Sequence, residues 1–391
     1  MTISRIEPLM PSLENSDSLD DLALQLVAKA NQFSGQLRPE IHLSVGELVR
    51  SMNCYYSNLI EGHNTHPRDI DRAMLDQYSE DPVKRALQIE ARAHVEVQRL
   101  IDTGQDPESP PTSSEYLRWL HYEFCRRLPD ELLWVENPDT NEKLKVEPGE
   151  FRSRDVQVGQ HLPPAPDELD SYMRRFSEAY DANRMTTIKS IVAVSAAHQR
   201  FMWIHPFLDG NGRVGRLMSH ASFKRLGVGG NLWSIARGLA RSDKDYKTKL
   251  QYADRARQSD FDGRGALSEK ALIEFCEYFL TMSIDQIEFM DSLLQPGELL
   301  RRMKLYCDDE VDAGRLPKRS MAMLREAFLS GQFERRDAPR ITGYQERKAR
   351  EILSELLKRG LLVSTGPRKP VRLGFPLDVV ERWFPALYPV G

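Results

Sequence analysis

Apolar residues recur every three to four positions over most of this chain, the period of helices with one buried face. In "SVGELVRSMNCYYSNLIEG" the residues Leu48, Met52, Tyr55 or Tyr56, and Leu59 fall on one stripe, and Gly62 is a helix stop. "PRDIDRAML" and "DPVKRALQIEARAHVEVQRLI" predict two further helices, the first opened by Pro67. The polar, Pro-rich "DTGQDPESPPTSS" reads as a loop. Helical periodicity resumes at "SEYLRWLHYEFCRRLP" and runs to about residue 290, broken by "VEPGEFRSRDVQVGQHLPPAP", which alternates and predicts a short hairpin or loop. Beyond "DSLLQPGELL" come two helical patterns, "RSMAMLREAFLSG" and "YQERKAREILSELLKRG", joined by "QFERRDAPRITG". Two short apolar runs around a Gly-Pro turn, "LLVSTGPRKPVRLGF", follow them. The expected fold is mainly α: a helical bundle with a short β-hairpin, plus a C-terminal winged helix-turn-helix. The expected domains are 1–114, 115–290 and 297–391.

A chain of 391 residues is long for one core, so several domains are expected. Its net charge of −4 selects no partner class, but residues 297–391 carry +6 and the remainder −10. That local excess makes DNA a candidate partner of the last region, beside a purely structural or protein-binding role. Four scattered cysteines without a CxxC pair fit a reducing compartment. With no signal-peptide pattern at the N-terminus and no membrane-length apolar run, a cytoplasmic location without membrane binding is expected.

The unusual chemistry lies in "HQRFMWIHPFLDGNGRVGRLMSH", which puts a histidine, an acid, two glycines and two arginines between helical stretches. A glycine-rich connection entering a helix N-terminus presents free backbone N–H groups, an anion site. Gly210 and Gly212 allow close approach of a ligand, and Arg213 and Arg216, three apart, can lean toward one anion. Asp209 suits Mg²⁺ bridging phosphate oxygens. His205 can take a proton from an incoming hydroxyl. The other eight histidines are read as structural.

The run His205-Pro-Phe-Leu-Asp209-Gly210-Asn211-Gly212-Arg213-Val-Gly-Arg216 resembles, at every specified position, the HPFx(D/E)GNGRxxR signature of the Fic family. "PGEFRSRDVQVGQHLPP" is similar to that family's flap, and the resemblance covers roughly 115–285. It implies a Fic-type helical core that transfers AMP from ATP to a Ser, Thr or Tyr hydroxyl of a target protein or of itself, releasing pyrophosphate. The resemblance implies His205 as the base and Asp209 as the Mg²⁺ ligand. Asn211 and the Gly210 and Gly212 N–H groups would steady the α- and β-phosphates, Arg213 the β- and Arg216 the γ-phosphate. The flap, with Val158 and Gly159 in the 156–159 stretch, would clamp the target segment by main-chain pairing. Tyr246 and Asp254 fall where relatives contact adenosine, often with Asn where this chain has Asp254. A homodimer, common among relatives, is a further expectation.

Ser57-Asn-Leu-Ile-Glu61-Gly62 resembles the family's (S/T)xxxE(G/N) inhibitory motif, on a helix expected over about 44–62. Ser57 and Glu61 share one helical face, and a carboxylate set against Arg216 would hold the guanidinium meant for the γ-phosphate. Two other functions compete with autoinhibited transfer. One is AMP removal by the same site; the other is a nucleotide-sensing, DNA-binding regulator.

Overall fold

Proline and polar caps start the helices where the sequence puts them. The computed structural model describes residues 3–12, 17–136, 141–228 and 231–388. Its first helices are α1 (Asp17–Gln36), α2 (Pro39–Ile60), α3 (Pro67–Met74), α4 (Pro82–Asp102) and α5 (Ser114–Cys125). Asp81 caps α4 by accepting from the N–H groups of Val83 and Lys84 at 2.9 and 3.2 Å. Helix α2 begins five residues before the expected Ser44, because Pro39 occupies the first turn, where its missing N–H costs nothing. It ends as expected: Gly62 N–H bonds Leu59 O and His63 N–H bonds Asn58 O, with Gly62 at φ 83°, a Schellman stop.

The chain then forms α6 (Leu169–Ala179), α7 (Thr187–Ile204), α8 (Asn211–Arg225), α9 (Ile235–Arg241), α10 (Asp243–Ala253) and α11 (Glu269–Leu294). Helices α7 and α8 pack against each other and are buried on nearly every side, so an amphipathic stripe is absent from both. Helix α8 is nonetheless polar, and it tolerates burial because Arg213, Arg216, Ser219 and Ser222 all find hydrogen-bond partners.

Strands β1 (Trp134–Glu136) and β2 (Lys143–Lys145) pair antiparallel, Val135 opposite Leu144, upstream of the segment expected to hold the hairpin. That segment contains one antiparallel pair, Val158 with His161, closed by the turn Gly159–Gln160. The prolines at 163, 164 and 166 remove the donors a longer ladder would need.

The last elements are α12 (Pro296–Asp312), α13 (Ser320–Ser330), β3 (Gln332–Phe333), α14 (Ala338–Thr342), α15 (Glu346–Lys358), β4 (Leu362–Val363), β5 (Val371–Leu373) and α16 (Leu377–Trp383). The two helices and two short strands expected there are present, and the joining stretch adds β3 and α14. The sheet order is β3-β5-β4, all antiparallel, with Leu324, Leu353, Leu356, Val371, Leu373 and Trp383 in its core.

Two compact units result. One comprises residues 1–31, 53–230 and 234–286; the other 32–52, 231–233 and 287–391. The boundary thus falls inside α2. In the second unit Ser44 donates to Leu373 O at 2.6 Å, and Arg372 pairs with Glu47 at 3.0 Å, which ties the first half of α2 to β5.

Candidate functional site

Two left-handed residues shape the loop between α7 and α8. His205, at φ 48°, ends α7 with its N–H on Phe201 O at 3.0 Å. Gly210, at φ 79°, caps α8. A left-handed non-glycine costs roughly 1–2 kcal/mol, so His205 is held by its surroundings. Arg152, a buried residue at the start of the flap, supplies that hold. Its Nε donates to His205 O at 2.8 Å, its Nη2 to Pro164 O at 2.6 Å, and its own N–H to Pro206 O at 2.9 Å.

Asn211 closes the loop from inside: Phe207 N–H donates to Oδ1 at 2.9 Å, and Nδ2 donates to Phe207 O at 2.8 Å. Phe207 stacks on His121 with ring centroids 4.0 Å apart and planes 7° from parallel. His121 Nδ1 accepts from Gly149 N–H at 2.9 Å, and Gly210 passes over the same ring. Neither residue is marked by the local sequence: His121 reads as structural, and Arg152 is simply the arginine of "PGEFR".

Around this loop lies a cleft of about 340 Å³ in the first unit. Glu61, Val158, Gly159, His205, Asp209, Gly210, Asn211, Gly212, Arg216, Tyr246 and Asp254 all line it, with His161 and Gln251 beside them. Ser57 and Arg213 are not among the lining residues. Burial lowers the His205 pKa to about 4, against a partial upward pull from the Met202 carbonyl and Asp209. At neutral pH the imidazole is therefore unprotonated and able to accept a proton.

Arg216 is almost wholly buried, its side chain 1% exposed. Nε donates to Ser57 Oγ at 2.8 Å, and Nη2 donates to Ser57 O at 3.1 Å and to Glu61 Oε1 at 2.5 Å. Burial alone would raise the Glu61 carboxyl, but the charge and hydrogen bond of Arg216 outweigh it and hold the pKa below its usual value. A Cβ on Gly212 would stand 2.2 Å from Glu61 Oε1, so the carboxylate fills the space that this glycine leaves over the first turn of α8. That is where the helix dipole and free N–H groups favour an anion.

Arg213 points elsewhere. Its Nη2 donates to Glu90 Oε2 on α4 at 2.9 Å and lies 3.2 Å from His63 Nδ1, and the guanidinium sits 5.0 Å from the Phe124 ring centroid. His63 Nδ1 is 3.0 Å from the same Glu90 oxygen. Neither Glu90 nor His63 stood out in the sequence.

Tyr246 and Asp254 face the cleft with their polar groups already engaged. Ser219 Oγ donates to Gly215 O and so accepts from His198 Nδ1–H, leaving His198 Nε2 to accept from the Tyr246 hydroxyl at 2.8 Å. Asp254 Oδ1 accepts from Gln199 Nε2 at 2.8 Å, and burial raises its pKa.

Among the described residues, no cluster of three or more His, Cys, Asp or Glu side chains could hold a metal on protein ligands alone. One exposed carboxylate, Asp209, beside a helix N-terminus is the donor set that suits Mg²⁺ arriving with phosphate oxygens. No described helix is long and apolar enough to cross a membrane.

Residues 111–222 match the Fic/DOC family. The chain is 39% identical over 82 residues to the protein adenylyltransferase Fic of Drosophila erecta, covering 21% of this chain and 17% of that protein. It is 29% identical over 177 residues to the protein of the same name from Nematostella vectensis, covering 44% of this chain and 37% of that one. The chain thus spans well under half the length of these curated relatives. Its fold is similar to a Fic family protein from Desulfovibrio desulfuricans, with TM-score 0.51, 18% identity, and 91% and 96% of the two chains covered. A Fic domain containing signaling protein from Bacteroides thetaiotaomicron is similar at TM-score 0.51 and 20% identity, covering 69% and 95%.

Proposed function

The chain carries a Fic domain, and from that premise we propose that it is an autoinhibited, Mg²⁺-dependent adenylyltransferase. Its substrates are ATP and a protein hydroxyl. The observation that carries the reading is the Glu61 carboxylate bonded to Arg216 and seated against Gly212, beside an unprotonated His205. An anion site built from a helix N-terminus and a buried guanidinium is held shut by a side chain of the same chain.

When Glu61 leaves, Arg216 and the first N–H groups of α8 are free to bind the phosphate chain. His205 takes the proton of the attacking hydroxyl as its oxygen bonds to the α-phosphorus and the bond to pyrophosphate breaks. Asp209 would hold Mg²⁺, whose charge offsets that of the phosphates. Asn211, bonded twice to Phe207, fixes the loop, and Arg152 fixes His205. The edge at Val158 offers main-chain groups for a target segment, and Tyr246 and Asp254 bound the nucleoside end. Arg213 is paired with Glu90 here and would have to leave that carboxylate to meet the β-phosphate.

The test is mass spectrometry of the Glu61→Gly protein after incubation with ATP and Mg²⁺. Gain of one AMP, absent from Glu61→Gly/His205→Ala, supports the proposal. No adduct on any target or on the chain itself refutes it. A pre-modified target that loses AMP to wild-type protein and keeps it with Glu61→Gly would instead assign AMP removal.

A further inference from the structure

The inhibitory glutamate is one residue from a helix end, and a side chain there needs its turn held in place to stay on target. Helix α4 provides several such holds on the second half of α2. Asn53 Nδ2 donates to Gln98 Oε1 at 2.5 Å, and Cys54 Sγ donates to Ala91 O at 3.3 Å. Just past the helix, His63 meets Glu90 at 3.0 Å, and Glu90 meets Arg213 at 2.9 Å. The backbone of His63 is also the outer bond of the Schellman stop, so its position fixes the turn that carries Glu61. The Glu90–Arg213 pair, 14% and 7% exposed, is shielded from water, and it holds the more open His63 ring at its outer edge. It connects the segment after Glu61 to α8 one turn from Arg216.

We propose that Glu90 and His63 are positioning residues for the brake: with Arg213 as their anchor on α8, they keep the 61–63 turn where the Glu61 carboxylate reaches Arg216 and Gly212. This rests on the adenylyltransferase reading of the cleft. A carboxylate serving only as counterion to Arg213 would need no contact with His63, and its loss would leave the brake where it is. The geometry points instead to a clamp with two jaws, in which the glutamate grips the guanidinium and the imidazole together. Arg213, the first arginine of the motif, thereby serves inhibition, while Arg216, the partner of Glu61, is its object.

The test uses the full-length protein in two backgrounds. Glu90→Gln keeps the side-chain volume, and His63→Gln leaves the Arg213–Glu90 pair intact. With Glu61 present, each variant should raise AMP transfer by about tenfold; in the Glu61→Gly background the change should be under about twofold, since the brake is already gone. Each should also speed hydrogen exchange at the Gly62 and His63 amides by about tenfold, a readout independent of any reaction. An equal change of rate in both backgrounds, or unchanged exchange at those amides, overturns the proposal. So does an effect confined to Glu90→Gln, which would leave His63 no part in holding the turn. Failure of Glu61→Gly to transfer AMP would sink the reaction and leave the exchange measurement to decide the clamp.

Discussion

Two Arg-x-x-Arg pairs in this chain show how burial, not spacing, decides what an arginine does. Arg213 and Arg216 on α8 have side chains 7% and 1% exposed and bond to partners 123 and 155 residues away. Arg347 and Arg350 on α15 are 95% and 75% exposed and pair within their own helix, with Glu351 at 3.4 Å and Glu346 at 2.9 Å. Exposed pairs one turn apart contribute about 0.3–0.5 kcal/mol and weaken with salt. Buried guanidinium groups must be matched, and breaking such a pair costs roughly 3–5 kcal/mol because a charge is left without solvent or partner. The same i, i+3 pattern therefore marks a solvated face in one helix and a buried, long-range ion-pair site in the other.

The sharpest way to separate the two pairs is to remove their acids. Glu61→Gly should raise AMP transfer by about a hundredfold, the scale on which misplacing a reacting group changes a rate. Glu351→Ala should leave transfer unaltered, with both followed by labelled ATP. Next in size, Arg216→Ala should destabilise the fold by about 2–3 kcal/mol in denaturant titration, below the full buried-pair cost because the Glu61 side chain is 33% exposed and can be rehydrated.

Acid should weaken the region around the buried pair. Burial lowers the pKa of His94 and His198 to about 3, and of His121 and His205 to about 4. Their unfolded-state values lie near 6.5, so between about pH 6.5 and 4 the unfolded chain binds more protons and stability falls with pH. Each contributes on the order of 1 kcal/mol by pH 5. Asp71, raised to about 6, and Asp254 and His63, also raised, act in the opposite direction, but four groups outweigh three. Calorimetry should give a lower Tm at pH 5 than at pH 7. The smallest effect is expected on α15, where Arg347→Ala and Arg350→Ala should each shift stability by less than about 0.5 kcal/mol.

What could be read ahead of the structure follows the same division. The loop from His205 to Arg216 was legible because its chemistry is packed into twelve consecutive residues, and Ser57 and Glu61 because a helix sets their spacing. Helices announced themselves by period and cap, and Asp81 and Gly62 behaved as their residue types dictate. Arg152, His121, His63 and Glu90 were not legible, since each acquires its role from a partner far along the chain and has no local pattern. Arg213 shows the same limit: its spacing from Arg216 suits a shared anion, but its bond to Glu90, far along the chain, leaves no local pattern. The division of α2 between two units was hidden too, because one unbroken helix carries no punctuation at Met52.

The bare backbone at Gly212 has a consequence for how this protein can be unlocked. One vacancy, the size of a methyl group, admits the glutamate and would equally admit a phosphate, so any side chain installed there evicts inhibitor and substrate alike. A genetic screen for overactive mutants should therefore return lesions at Glu61 and in the helices that brace it, and never at position 212.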